Sequence, residues 1–195
     1  MKNIDFICRF VFKTVIIFAS GNGTNTQNII NYFRDSEVIV SKIICNYSGA
    51  KVLDIAENEN IESVIISKND LDNDNLLNLL EKSKPDLIVL AGFLLKLPKK
   101  ITDKFKIINI HPSLLPKFGG KGMWGMNVHR AVIESFESVS GITIHWVNEN
   151  YDQGNIIKQF ECLVSNLDTP ETLSDKVREL ELNYPEVIKE LLFSI

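Results

Sequence analysis

The sequence predicts an α/β fold: a doubly wound, mainly parallel sheet with antiparallel strands added at one edge near the C-terminus. Three observations predict it. Short apolar, β-branched runs alternate with segments of helical spacing from Thr14 to His111, the rhythm of βα units assembled on a parallel sheet. The first of those runs, TVIIFA, is apolar on both faces, as a strand covered by helices on two sides must be. After His111 the rhythm changes, and two strand-like runs follow one another with no helix between them. That spacing suits antiparallel neighbours.

In chain order, TVIIFA (Thr14 to Ala19) is the first strand. A glycine turn, SGNGTN, and a helix, TQNIINYF, follow it. VIVSKIIC (Val38 to Cys45) is the second strand and GAKVLDIAENEN the second helix. IESVII (Ile61 to Ile66) is the third strand. DNDNLLNLLEKS is a helix whose acidic first turn complements the helix dipole. Pro85 ends it, and DLIVLA (Asp86 to Ala91) is the fourth strand. KIINIH (Lys106 to His111) is the fifth. GITIHWV and GNIIKQFECLV supply the antiparallel addition. The chain closes as helix, with Thr169 as N-cap and Pro170 in the first turn. Pro185 must kink or split that helix.

One domain over residues 14–195 accommodates this pattern, and residues 1–13 read as an N-terminal extension. The apolar run IDFICRFVF is interrupted by Arg9, lacks a small-residue cleavage site and is too short to span a bilayer. With 45% hydrophobic and 24% charged residues the composition is that of a globular protein. A net charge of −4 gives no reason to expect nucleic acid as the main partner, and no segment points to a membrane. The cysteines, Cys8, Cys45 and Cys162, form no C-x-x-C pair and are odd in number. Reduced thiols in a cytoplasmic protein are expected.

The first turn, ASGNGTN, leaves a buried strand and opens a helix. Free backbone N–H groups at such a place, with the positive end of the helix dipole, suit a phosphate monoester. The turn is not the dinucleotide fingerprint, whose third glycine position holds Thr26, and no Lys-Ser/Thr follows as in a Walker A loop. A purely structural βα turn is the competing reading, and Thr24 and Asn25, both good N-caps, favour it.

INIHPSLLP (Ile108 to Pro116) sends Asn109 and His111 from one face of a strand, two residues apart. Pro112 ends that strand, so both lie where open α/β sheets place their ligands. An amide N–H can hold an oxygen that gains negative charge, and an imidazole can stabilise that charge or move a proton. Those are the needs of acyl transfer. No partnered nucleophile is evident, so one substrate attacks the other directly. A carboxylate beside His111 would raise its pKa. NENYDQGN offers Glu149 and Asp152, and spacing does not choose between them. His129, on NVHRAVIESF, reads as a solvated helix residue, and His145, on ITIHWV, as core or as support for the site. No metal is expected, because no histidines or cysteines have ligand spacing. GGKGMWG (Gly119 to Gly125) holds four of the ten glycines and reads as a lid or a mobile surface loop, with Lys121 as a phosphate-ligand candidate.

FASGNGTNTQNII, PDLIVLAGF, IINIHPSLLPKF and YDQGNI occur here in an order and at spacings that resemble phosphoribosylglycinamide formyltransferases, from about Val15 to the last helix. The resemblance implies a Rossmann-like formyltransferase fold. It also implies transfer of a formyl group from 10-formyltetrahydrofolate to the amine of glycinamide ribonucleotide, in purine synthesis. It matches Asn109, His111 and Asp152 to the catalytic trio, which selects Asp152 over Glu149. It matches Gly23, Thr24 and Asn25 to the substrate phosphate site. Leu94, Leu95, Lys96 and Leu97 fall on the folate segment, contacted through backbone, together with Asn109 and, by a loose alignment, Lys68. Glu181 matches the ribose glutamate, although ELELNYP is one residue short of the family spacing, and the first residues have no counterpart. A monomer or homodimer binding small molecules is implied. Formyltetrahydrofolate hydrolases carry an added N-terminal domain, and tRNA and sugar formyltransferases an added C-terminal one. The chain is expected to have room for neither. A non-catalytic phosphoribosyl- or folate-binding relative is the remaining alternative.

Overall fold

Alternation within the first strand explains how the layers form. In β1 (Lys13–Phe18), Val15 and Ile17 enter one buried cluster, while Ile16 and Phe18 enter another on the opposite face. A strand apolar on both faces thus acquires helices on both sides. The computed structural model describes residues 12–194. Most of the extension expected over residues 1–13, Cys8 included, lies outside the described residues. Lys13 opens β1, its Nζ 3.1 Å from an Asp86 carboxylate oxygen.

The remaining strands are β2 (Val38–Cys45), β3 (Glu62–Ile65), β4 (Leu87–Leu90), β5 (Ile107–His111), β6 (Val139–Trp146) and β7 (Ile156–Leu163). They form one seven-stranded sheet in the order β3-β2-β1-β4-β5-β6-β7. Pairing is parallel from β3 to β5 and antiparallel for β5–β6 and β6–β7. The expected architecture, with antiparallel strands at one edge, is the one found.

Helices α1 (Thr24–Phe33), α7 (Pro170–Glu181) and α8 (Tyr184–Phe193) pack Ile29, Phe33, Leu173, Val177 and Ile188 onto the face that carries Val15. Val132 of α6 (Met126–Glu134) joins them. The other face is covered by α4 (Asn75–Ser83), through Leu76 and Leu80, with Leu71 of α3 (Lys68–Asp72) and Ile101 of α5 (Lys99–Thr102). A smaller cluster holds α2 (Val52–Asn58) against Ala19, Ile43 and Cys45.

Pro185 splits the closing helix rather than kinking it. It falls in the first turn of α8, where its missing N–H has no intrahelical partner to lose. Thr169 caps α7 as expected, in a box closed by the Thr172 side chain. Among the described residues no helix is long and apolar enough to cross a membrane.

Candidate active site

From β1 the sheet grows toward β2 on one side and toward β4 and β5 on the other, so the chain reverses its direction of winding beside β1. Crevices open at the carboxyl ends of strands at such a point. Here a cleft of about 680 Å³ runs from Asn25 at the head of α1, past Leu94–Leu97 after β4, to Asn109 and His111 at the end of β5. Glu181 and Arg178 of α7, the loop Gly120–Met126, Tyr151 and Asp152 also line it.

The glycine turn settles how α1 is capped. Its N-cap is Gly23, in the left-handed region at φ 77°, with no side chain to satisfy the first helical amides. Thr24 and Asn25 lie inside the helix, so the capping role that favoured a purely structural turn is not theirs. No hydrogen bond is recorded for the amides of residues 21–26. Gly23 is confined from outside: a Cβ there would lie 2.7 Å from Ile55 Cδ1 and 2.9 Å from Val52 Cγ2. The Asn25 amide donates to Glu181 Oε2 at 3.0 Å, joining the turn to α7. Burial raises the Glu181 pKa, with Asn25 and Arg178 opposing.

After β4, Leu97 is buried and Leu94 exposed. The Leu94 amide donates to Ser20 Oγ at 3.0 Å, and the Ser20 hydroxyl donates to Asn46. The amides of Leu95, Lys96 and Leu97 make no recorded hydrogen bond. Lys96 Nζ lies over the Tyr151 ring, 5.8 Å from its centroid.

At the end of β5 the polar side chains converge. Nδ1 of His111 is 3.5 Å from Asp152 Oδ2, and its Nε2–H donates to Phe118 O at 2.8 Å. Asp152 Oδ2 also accepts the Gly120 N–H at 2.8 Å. Asp152 has φ 54°, a left-handed conformation that Asp tolerates better than most residues. Its turn lies close against β6 because Gly154 occupies a position where any Cβ would strike the Trp146 carbonyl. Asn109 Nδ2 meets His145 Nε2 at 3.1 Å. Beneath the cluster, Thr143 Oγ1 donates to Ser113 O at 2.7 Å. It accepts from Leu115 N and from Gln159 Nε2, each at 2.9 Å. That buried hydroxyl fixes the chain leaving β5.

Asp152 is therefore the carboxylate beside His111. Glu149, half-buried, turns its carboxylate instead to Lys99 Nζ, 3.6 Å away. The expected pKa rise at His111 does not occur. Burial of the ring lowers its pKa, and Asp152 and the Phe118 carbonyl only partly offset this. Burial raises Asp152, but the His145 and His111 rings and the Gly120 N–H outweigh it and hold that carboxyl below its ordinary value.

His129 is not a solvated residue. It is 4% exposed, lines the cleft, and its Nδ1 has no recorded partner. It follows Val128 and stands three residues before Val132, both buried, so the apolar stripe of α6 contains it. Arg178 was not singled out by the sequence, yet it stands one helical turn before Glu181 and so follows it into the cleft. The loop Gly119–Gly125 is tied to the cluster through Phe118 and Gly120, and Lys121 lines the cleft. Gly23, Thr24 and Lys68 do not line this cleft. Thr24 borders an adjoining hollow shared with Asn25, Arg178 and Glu181, and Lys68 opens α3 after β3. Among the described residues no cluster of His, Cys, Asp and Glu could hold a metal ion.

Residues 13–188 match the model of the formyl transferase family. Over 187 residues the chain is 37% identical to the chloroplastic phosphoribosylglycinamide formyltransferase of Arabidopsis thaliana, covering 90% of the chain but only 64% of that protein's length. It is 34% identical to phosphoribosylglycinamide formyltransferase of Bacillus subtilis, covering 92% of the chain and 95% of that protein. The crystal structure of phosphoribosylglycinamide formyltransferase from Anaplasma phagocytophilum superposes with a TM-score of 0.84 at 33% identity, covering 94% of the chain and 88% of that structure.

Proposed function

The chain belongs to the formyl transferase family, and from that premise we propose that it transfers the formyl group of 10-formyltetrahydrofolate to the amine of glycinamide ribonucleotide. The observation that carries the proposal is the single cleft in which Asn109, His111 and Asp152 meet, continuous with Asn25 and Glu181 at the head of α1. The folate fits the middle of this cleft, where apolar Leu90, Leu95, Leu97 and Val147 offer surface to flat rings and unpaired amides after β4 offer donors. When bound, it supplies a carbonyl carbon open to attack.

The protein's own groups divide the work. Amides at the start of α1 hold the ribonucleotide phosphate, and Glu181 holds the ribose. Asn109 has one N–H on His145 and a second free for the formyl oxygen, where negative charge grows as the amine attacks. His111 rests largely neutral, because burial lowers its pKa. With Nε2–H on the Phe118 carbonyl, Nδ1 is the bare nitrogen: it takes the proton the amine sheds as the new C–N bond forms, and gives it to the folate nitrogen as the bond from that nitrogen to the formyl carbon breaks. Asp152, 3.5 Å away, then faces an imidazolium that it stabilises. Direct attack needs no protein nucleophile.

The test is formyl-donor consumption by purified protein with and without glycinamide ribonucleotide. Consumption that requires the ribonucleotide and yields its formylated form is expected. Equal consumption with water alone would assign a hydrolase, and binding without consumption a non-catalytic relative.

A further inference from the structure

We propose that His145 is a positioning residue that fixes the Asn109 amide with an N–H, and not its oxygen, available to the formyl group; this rests on the role given to Asn109 above. The two residues are direct partners across the antiparallel pair β5–β6, so their side chains share a face. His145 is 2% exposed. Nδ1 is 2.9 Å from the Trp146 carbonyl, which can only accept, so Nδ1 carries the proton. In the neutral ring Nε2 is then bare, and what meets it at 3.1 Å must be a donor. Asn109 can satisfy it only with its NH₂ group. One N–H is committed to the ring and the other is left for a ligand.

Without that acceptor the amide can turn over and exchange donor for acceptor. It would then oppose an oxygen to the formyl oxygen, which repels the charge it should hold. His145 Nε2 is also 3.6 Å from Asp152 Oδ1, a longer approach than its 3.1 Å to Asn109 Nδ2, so Asn109 is its nearer partner. The backbone supports the same assignment. The β6–β7 register shifts between Ile144 and His145, and such irregularities re-aim a side chain beside a site.

The test compares His145→Leu, which has similar bulk and no acceptor, with His145→Gln, whose amide oxygen restores one. His145→Leu should lose about tenfold to a hundredfold in kcat, part of the cost of removing an oxyanion donor, with KM for both substrates within about twofold. His145→Gln should recover much of that loss. Made on Asn109→Ala, His145→Leu should cost nothing further, because the group it acts through is gone. A full additional loss in that background would overturn the proposal alone. An Asn109→Ala protein as fast as the unaltered one would overturn the role of Asn109 and this proposal with it. If His145→Leu does not fold, ¹⁵N shifts of the unaltered protein decide. A His145 proton on Nδ1 with bare Nε2 is expected, and a proton on Nε2 overturns the assignment.

Discussion

At the end of β1 the groups free to bind are backbone amides at the head of α1, while at the end of β5 they are side chains that already hold one another. Gly23 has no side chain, and the amides of residues 21–26 have no recorded acceptor. By contrast His111, Asp152, Asn109 and His145 have contacts of 2.8–3.6 Å to one another or to neighbouring backbone. Orphaned amides on a fixed helix suit an anion that must be held and later released. A buried side-chain cluster suits charge that exists only in transit, because its dipoles are oriented before the reaction begins. The first region should therefore govern affinity and the second rate.

The sharpest way to break that division is His111→Ala. Loss of the acid–base group should lower kcat on the order of 10²–10⁴-fold, while calorimetric Kd for the ribonucleotide stays within about threefold. Turnover within tenfold of the unaltered protein would remove His111 from the chemistry. A large loss of ribonucleotide affinity would dissolve the boundary between the two regions.

Most of this arrangement could be read from residue order. β-branched runs such as TVIIFA and DLIVLA set the parallel sheet, and residues i and i+2 of a strand put Asn109 and His111 on one face. What could not be read depends on closure in three dimensions. Spacing alone leaves Glu149 and Asp152 equal candidates in a loop; the family resemblance picks Asp152, and the fold brings it to His111 on a turn that Gly154 lets lie against Trp146. The His111 pKa was expected to rise because the carboxylate was foreseeable, whereas the burial that outweighs it was not. His129 was missed for a different reason: a histidine on a short helix looks polar until its neighbours Val128 and Val132 prove to face inward. Thr24 and Asn25 looked like caps, but the left-handed Gly23 stops the helix one residue earlier.

The counterpart of His111→Ala at the other end is Gly23→Ala. An L-residue at φ 77° is strained, and its Cβ would press on Ile55 and Val52 of the adjoining helix. Stability should fall by about 1–3 kcal/mol, as for an overpacked core. Shifting the head of α1 should raise KM for the ribonucleotide severalfold while kcat changes less than twofold. An unchanged melting temperature together with an unchanged KM would show that the turn is neither packed as described nor used for binding.

The smallest expected effect separates the two regions by sign. At the β5 end His111, and His129 near it, have pKa values lowered by burial. The unfolded chain then binds more protons than the folded one. Their contribution to stability is complete above the ordinary histidine value of 6.5 and is lost as pH falls from there through the folded values. Beside the glycine turn, burial raises Glu181 above its ordinary 4.5. Its contribution is complete below 4.5 and is lost as pH rises through the folded value. Melting temperature should therefore decline on acidification from about pH 7.5 into the range just below 6.5, where histidines titrate. His129→Gln should make that decline shallower. Glu181→Gln should leave it in place and instead raise stability at neutral pH relative to the unaltered protein, by removing a charge that is costly to bury. A melting temperature that is flat across the histidine range would mean that the imidazoles at the end of β5 are not held neutral. The proton acceptor assigned to His111 would then already be occupied when the amine arrives.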